Sequence, residues 1–114
     1  MRRLIGADIK RIKAAVLLLA KTVAALIAAH RDLSRRHDLL TSVPGVGPVL
    51  ASTLIGQLPE LGAGDAKAIA ALVGVAPYSR QSGATDRGGR CRGGRHHVRA
   101  VLYMATLSAI RCGN

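Results

Sequence analysis

Apolar residues in the first third of the chain recur at alternating steps of three and four positions. The series is Ile9, Ile12, Val16, Leu19, Val23, Leu26, His30, Leu33, His37 and Leu40. Most early a positions are β-branched and most d positions are Leu, which over four heptads is typical of a two-stranded coiled coil. The spacing favours a parallel pair and leaves an antiparallel pair open. We therefore predict one long helix over residues 1–41 that associates with another chain.

The same helix has an alternative use, which is to pack against its own domain. Its apolar face is wider than a coiled-coil seam, because it also includes Ala14, Ala15, Leu17 and Leu18. His30 and His37 fall on a positions, where a partly polar side chain would set the register of a pair. Both histidines are otherwise ordinary helix residues.

Helical spacing resumes in three shorter segments after residue 41. The first has Pro48 at its start, where a proline suits a helix, and carries Leu50, Leu54 and Leu58 on one face. The second covers residues 65–73, with Asp65 as a plausible N-cap and Gly74 as its stop. The third carries Val98, Leu102, Ala105 and Ala109 on one face. These patterns predict an all-α fold, with the long helix followed by a small helical domain over residues 42–114.

The stretch VPGVG, residues 43–47, has the form of the turn in a helix-hairpin-helix. Gly45 and Gly47 permit a positive φ and a close approach of the backbone to a ligand. The N–H groups near Val46 and Gly47 would then point outward beside a helix N-terminus, which favours a phosphate oxygen. The alternative is a plain connector between two packed helices.

The charge of the chain points to a polyanion as its partner. Seventeen Lys and Arg residues against six acids give a net charge of +11. Residues 1–41 carry nine basic and three acidic groups, residues 42–79 one and two, and residues 80–114 seven and one. Arginine dominates the last segment, and its planar fork matches phosphate oxygens. We therefore expect a nucleic acid, DNA or RNA, as the partner.

The apolar run over residues 14–29 is interrupted by Lys21 and is shorter than the roughly 20 residues of a membrane span. No secretory signal is evident either. The two cysteines, Cys91 and Cys112, give no disulfide framework, which fits a reducing compartment. We predict a cytoplasmic protein, associated with the nucleoid and not with a membrane.

Residues 80–99, RQSGATDRGGRCRGGRHHVR, combine six arginines with five glycines around one serine. A stretch so polar does not fold alone, but helical segments on both sides favour a tethered loop over a disordered tail. Its predicted phosphate-binding residues are Arg80, Arg87, Arg90, Arg92, Arg95 and Arg99. Ser82 is either a turn residue or a nucleophile, and the surrounding guanidinium groups would stabilise the charge of a phosphoryl transition state. The sequence identifies no general base for it.

Residue types that bind metals are present, but their spacing does not predict a site. Cys91, His96, His97 and Cys112 match none of the common zinc patterns. The six acids are scattered over different segments, which argues against a two-metal nuclease centre. We expect no metal and no cofactor within this chain.

The order of these features resembles a known family. A heptad helix precedes SVPGVGPVLASTLIGQLPEL, LVGVAPYSRQSG, the arginine–glycine stretch and VRAVLYMATLSA. From about residue 30 onward this is similar to the carboxy-terminal Tnp domain of the insertion-sequence one-hundred-and-ten family of transposases, which includes the Piv-type DNA invertases. The resemblance implies that Ser82 corresponds to a serine that joins covalently to DNA during recombination guided by a structured RNA. It also implies a coiled coil, mapped loosely onto residues 5–40, that assembles subunits.

The chain departs from the family pattern in three respects. The amino-terminal RuvC-like domain with its metal-binding acidic tetrad is absent, so Mg²⁺ is expected only with that domain. The chain stops at Asn114, where relatives continue, and Ala84 stands where many relatives have a basic residue. We expect a truncated transposase that needs the acidic domain in trans. The alternative is a non-enzymatic nucleic-acid binder that oligomerises with intact transposase or inhibits it.

Overall fold

The computed structural model describes residues 2–82 and 85–113, with side chains for residues 4–78 and 89–113. Its elements in chain order are α1 (Arg2–Ala29), α2 (Arg31–Thr41), α3 (Pro48–Gln57), α4 (Ala66–Val73), β1 (Pro77–Ser82), β2 (Thr85–Cys91) and α5 (His96–Cys112). The protein is mostly helical and begins with a long helix, which confirms the predicted fold class. The two strands are the part of the described chain that the all-α prediction missed.

The predicted long helix is interrupted at His30. This residue is extended, with φ −114° and ψ 113°, and it separates α1 from α2. Beyond the break, α2 packs against α3, and Leu40 reaches the core. The prediction of one continuous heptad helix to residue 41 is therefore wrong at His30. The last residue of the apolar series, Leu40, packs against the protein's own core.

A small aliphatic core lies between α3, α4 and α5. Its buried members are Leu50, Leu54, Leu58, Val73 and Val98, and Leu40, Val46, Ile69, Val101, Leu102 and Ala105 pack against them. Pro48 occupies the start of α3, whose buried residues are Leu50, Ala51 and Leu54, and Leu58 is buried at its C-cap. Burying a side chain of this size contributes about 1.5–3 kcal/mol, so a core this small leaves the fold dependent on further contacts.

The apolar face of α1 is uncovered within the described chain. Exposed fractions are 63% for Ile12, 60% for Val16, 65% for Leu19 and 57% for Leu26, whereas Ile27 is buried. Packing of this face on its own domain, the alternative to self-association, occurs only near the carboxy end of the helix. The rest of the face is available to a partner.

α1 is also long and apolar enough, by length and composition alone, to cross a membrane. Its segment Leu4–Ala29 has 26 residues, and the most apolar 18-residue stretch within it has a mean hydropathy of 2.0, with 6% of that stretch buried. The helix as a whole is thus longer than the apolar run of residues 14–29 on which the expectation of no membrane span rested. Five charged residues lie along this segment: Asp8, Lys10, Arg11, Lys13 and Lys21. Charges at a bilayer centre are costly. Core helices of soluble proteins and signal sequences can have the same length and apolar composition, so these two properties alone do not identify a membrane span.

The arginine–glycine stretch contains an antiparallel hairpin where a loop was predicted. Pro77 pairs with Cys91, Tyr78 with Arg90, Arg80 with Arg87, Gln81 with Asp86, and Ser82 with Thr85. One extra residue in β2 shifts the register between the Tyr78 and Arg80 pairs. The ladder gives partners to backbone groups that a loop would leave to water.

The hairpin is attached to the helices where α4 ends and α5 begins. Gly74 ends α4 in a left-handed conformation, with φ 84°. A Cβ on Gly94 would collide with the Gly74 backbone, so the two chain segments touch at a point that only glycine permits. The Arg95 N–H donates to the Leu72 carbonyl at 2.8 Å. These contacts fix both ends of the hairpin to the helical core.

Candidate nucleic-acid interface

Ser82 is the last residue of β1 and pairs with Thr85 at the tip of the hairpin. Arg80 and Arg87 face each other in the register, so two arginines are direct cross-strand neighbours close to Ser82. Like charges directly opposite each other destabilise a strand pair, and a bound anion would relieve that cost. The side chains of these three residues, and Gly83 and Ala84 as a whole, lie outside the described parts of the chain.

Arg90 and Arg92 lie at the base of the hairpin and are exposed. With Tyr78, Cys91 and Gly93 they line an open depression of about 690 Å³. Among the described side chains Arg95 forms a salt bridge with Glu60 and His37 lies 4.0 Å from Asp38, and neither contact involves Arg90 or Arg92. Both guanidinium groups therefore face solvent with no neutralising carboxylate found among the described residues.

Arg95 was predicted to bind phosphate, but its guanidinium contacts Glu60 and Gln57 of the protein itself. Its guanidinium donates to both carboxylate oxygens of Glu60, at 2.7 and 2.6 Å, and to the Gln57 carbonyl at 2.7 Å. The hydrogen bonds from Arg95 lower the pKa of Glu60 to about 2, and they raise the pKa of Arg95 above its usual range. Both groups are thus charged at neutral pH. Arg95 is engaged in holding the start of α5 to the end of α3, so it is not a free phosphate ligand.

Arg99 is likewise turned toward the protein itself. Its Nη1 donates to the Gly93 carbonyl and, at 3.4 Å, to the Gly74 carbonyl. The side chain is half-buried and bridges the end of α4 to the chain that follows β2. Of the six predicted phosphate-binding arginines, Arg95 and Arg99 therefore brace the hairpin.

The turn between α2 and α3 packs against α5 and does not present all of its N–H groups outward. Gly45 has a φ of +87°, and a Cβ there would lie 2.5 Å from the Cβ of Ala109. The Val46 N–H donates to the Val43 carbonyl at 3.0 Å, so it is not available to a phosphate as predicted. The last turn of α5 lines the same surface, and the partial negative charge of a helix C-terminus disfavours an anion there. Gly47 is the N-cap of α3, and its carbonyl accepts the N–H of Ala51.

Two residues that shape this region were not singled out from the sequence. Glu60 is distant in sequence from Arg95, and only the folded chain brings them together. Tyr78 directly precedes the SRQSG stretch and is one of just two aromatic residues in the protein. That position and that scarcity were the one sequence signal that could have identified it as a site residue. Among the described residues, no group of three His, Cys, Asp or Glu side chains forms a metal site.

A family model described as transposase of the IS116/IS110/IS902 family matches residues 37–114, which is 78 of the 114 residues. The chain belongs to this transposase family. No curated protein matches the chain, and no solved structure does either. The transposase match begins within α2 and includes α3, α4, the hairpin and α5, while α1 precedes it. The family region thus contains the core and the basic hairpin together.

Proposed function

We propose that this transposase-family chain binds nucleic acid at the base of its β-hairpin, with Arg90 and Arg92 as phosphate contacts. The family gives the protein a role in DNA transposition or recombination. The proposal is supported by one observation above all, which is that these two arginines are exposed and unpaired among the described side chains. Arg80 and Arg87, which pair with each other in the hairpin register close to Ser82, are proposed as further phosphate contacts.

The first candidate for the bound polymer is DNA. A structured guide RNA is the second candidate, because it offers the same phosphate chemistry. Phosphate contacts position a nucleic acid without reading its bases, so they do not discriminate between these polymers. A net charge of +11 favours either of them from a distance. Binding to DNA would place the protein at the nucleoid in the cytoplasm.

Ser82 is proposed as the nucleophile of strand exchange. Its hydroxyl oxygen would attack a DNA phosphorus and form a phosphoester, its proton would pass to a base outside this chain, and a deoxyribose hydroxyl would leave. The position at the end of β1, beside the Arg80 and Arg87 pair, supports this role. The described residues do not fit a Mg²⁺ site, because their carboxylates are not clustered.

A non-enzymatic role is the second proposal, and the uncovered apolar face of α1 favours it. Pairing of this face with the coiled coil of an intact transposase would form mixed oligomers. A chain that occupies DNA within such an oligomer without cutting it would inhibit the enzyme. Both proposals share the nucleic-acid interface and differ only in the chemistry of Ser82.

The phosphate contacts predict a defined salt dependence. Because each neutralised phosphate releases about 0.9 counterion from duplex DNA, Arg90→Ala and Arg92→Ala should each reduce the slope of log K against log salt by about 1. Arg11→Ala removes the same charge from α1, outside the family region, and is the matched control. Fluorescence anisotropy with a labelled duplex at several salt concentrations measures all three. Equal slopes in the wild type and both hairpin variants would exclude Arg90 and Arg92 as contacts.

The nucleophile predicts a covalent adduct with DNA. In the presence of an intact family transposase and a nicked or branched substrate, labelled DNA should migrate on a denaturing gel with this 11.9 kDa chain. Ser82→Ala should abolish that adduct, whereas Ser79→Ala, a hydroxyl in the same strand, should retain it. An adduct that survives Ser82→Ala removes Ser82 from the mechanism. Absence of any adduct at this mass, with normal DNA binding, supports the non-enzymatic role.

Self-association through α1 predicts a concentration-dependent dimer or larger oligomer in sedimentation velocity. Leu19→Lys places a charge in the apolar face and should shift the protein to a monomer, while leaving nucleic-acid binding at the hairpin intact. Thr22→Lys is the control, because Thr22 lies outside the heptad series and Lys adds the same charge. A wild-type protein that stays monomeric at tens of micromolar contradicts this part of the proposal.

A further inference from the structure

The depression at the base of the hairpin contains an aromatic ring together with the two exposed arginines. Tyr78 pairs directly with Arg90 across the two strands, and Arg92 follows just beyond the end of β2. The Tyr78 side chain is 55% exposed. The volume of about 690 Å³ lies in the range of small-ligand sites and is ample for one nucleotide.

Aromatic residues are scarce in this protein, which makes the position of Tyr78 informative. The chain has no Trp and no Phe, and its core is entirely aliphatic. Tyr78 is therefore not used for packing the interior, although the hairpin is anchored beside it. An exposed ring next to two cations has the composition of a platform for nucleobases.

We propose that this depression binds one unpaired nucleotide, with its base stacked on Tyr78 and its flanking phosphates held by Arg90 and Arg92. This inference rests on the proposed function and names its substrate class as a single-stranded segment. Each base has a π-face that can stack on a tyrosine ring, and that face is free only when the base is unstacked from its neighbours. A duplex offers phosphates to the arginines but no free base to Tyr78.

The surroundings hold this depression in its shape before a ligand arrives. Arg99 donates to the carbonyl of Gly93, a residue that lines the depression, and so occupies an acceptor that would repel phosphate oxygens. The Cys91 thiol donates to the Val75 carbonyl at 3.2 Å, which fixes the end of β2 against the chain leaving α4. A preformed surface loses less conformational entropy on binding than a flexible arm does. No acidic residue is among the described residues that line the depression, in agreement with an anionic ligand.

The test compares single-stranded with duplex ligands on the full chain. Labelled oligo(dT) and oligo(rU) of twelve nucleotides, and a duplex of the same length, are titrated in fluorescence anisotropy. Tyr78→Ala should weaken binding of a single strand roughly tenfold, as expected for loss of one stacked base, and should change duplex binding less than twofold. Tyr78→Phe should bind like the wild type, and Tyr103→Ala, the other tyrosine and also exposed, is the control. A Tyr78-dependent loss with oligo(dT), oligo(rU) or both supports the proposal and identifies the source of the unpaired nucleotide.

A second measurement keeps Tyr78 in place and so does not depend on the folding of an alanine variant. In a Tyr103→Phe background, Tyr78 is the sole tyrosine and the chain has no tryptophan, so its emission reports on that ring alone. Stacking of a base should quench this emission on addition of oligo(dT) or oligo(rU), and a duplex should not. Unchanged emission at saturation overturns the proposal.

Failure of this inference is distinguishable from failure of the proposed function. If Tyr78→Ala binds single strands like the wild type while Arg90→Ala and Arg92→Ala bind weakly, the depression holds phosphate alone and stacking is excluded. If Tyr78→Ala weakens single-strand and duplex binding equally, its effect is not base stacking and the inference fails. If neither polymer binds the wild-type protein, both the inference and the proposed function fail.

Discussion

The bidentate ion pair between Arg95 and Glu60 holds the start of α5, and with it the chain that leaves the hairpin, against the end of α3. The Arg95 side chain joins Glu60 and the Gln57 carbonyl, and its backbone N–H joins the Leu72 carbonyl. One residue at the start of α5 thereby connects the ends of α3 and α4 with the chain that leaves β2. Partly exposed ion pairs contribute little to stability as a rule, so the importance of this one lies in the direction it gives to the hairpin.

The arginines of the basic segment whose side chains are described, Arg90, Arg92, Arg95 and Arg99, form two groups. Arg95 and Arg99 bind carboxylate and carbonyl oxygens of the protein, and they keep the base of the hairpin close to the helices. Arg90 and Arg92 stay exposed on the surface that the first group holds in place. An excess of positive charge alone would attract a polyanion to any side of the molecule. We propose that two exposed guanidinium groups beside a tyrosine give that attraction a location.

The sequence predicted the helices well, because their signals are local. The leucines of α3 recur at steps of four, and Gly74 ends α4 where a C-terminal stop was expected. The strands were missed because glycine and arginine are not strand formers and the segment lacks an alternation of apolar and polar residues. Its strands form because tethered ends bring complementary backbone groups together. The break at His30 was hidden by an apolar series that continues across it.

The basic segment was predictable from the sequence, but the contacts of its individual arginines were not. Clustered arginines near a serine indicated a basic segment for phosphate, and the family match covers that segment. The separate role of Arg95 was not visible, because Glu60 lies 35 residues away and has no pattern that links it to the arginine stretch. The Val46 N–H was expected to be free, but the turn uses it internally. Long-range pairing and turn hydrogen bonds are properties of the fold, which a single segment does not encode.

The affinity of Glu60→Ala for a single-stranded oligonucleotide at low salt tests the central claim most directly. If only electrostatic attraction matters, removal of a negative charge from so basic a protein strengthens phosphate binding. Asp65→Asn is the control for this effect, because it removes a negative charge that was not found in an ion pair among the described residues. If the ion pair with Arg95 positions the hairpin, Glu60→Ala binds more weakly than the wild type despite its added net positive charge. Binding by Glu60→Ala that is as tight as that of the wild type, or tighter, contradicts the account.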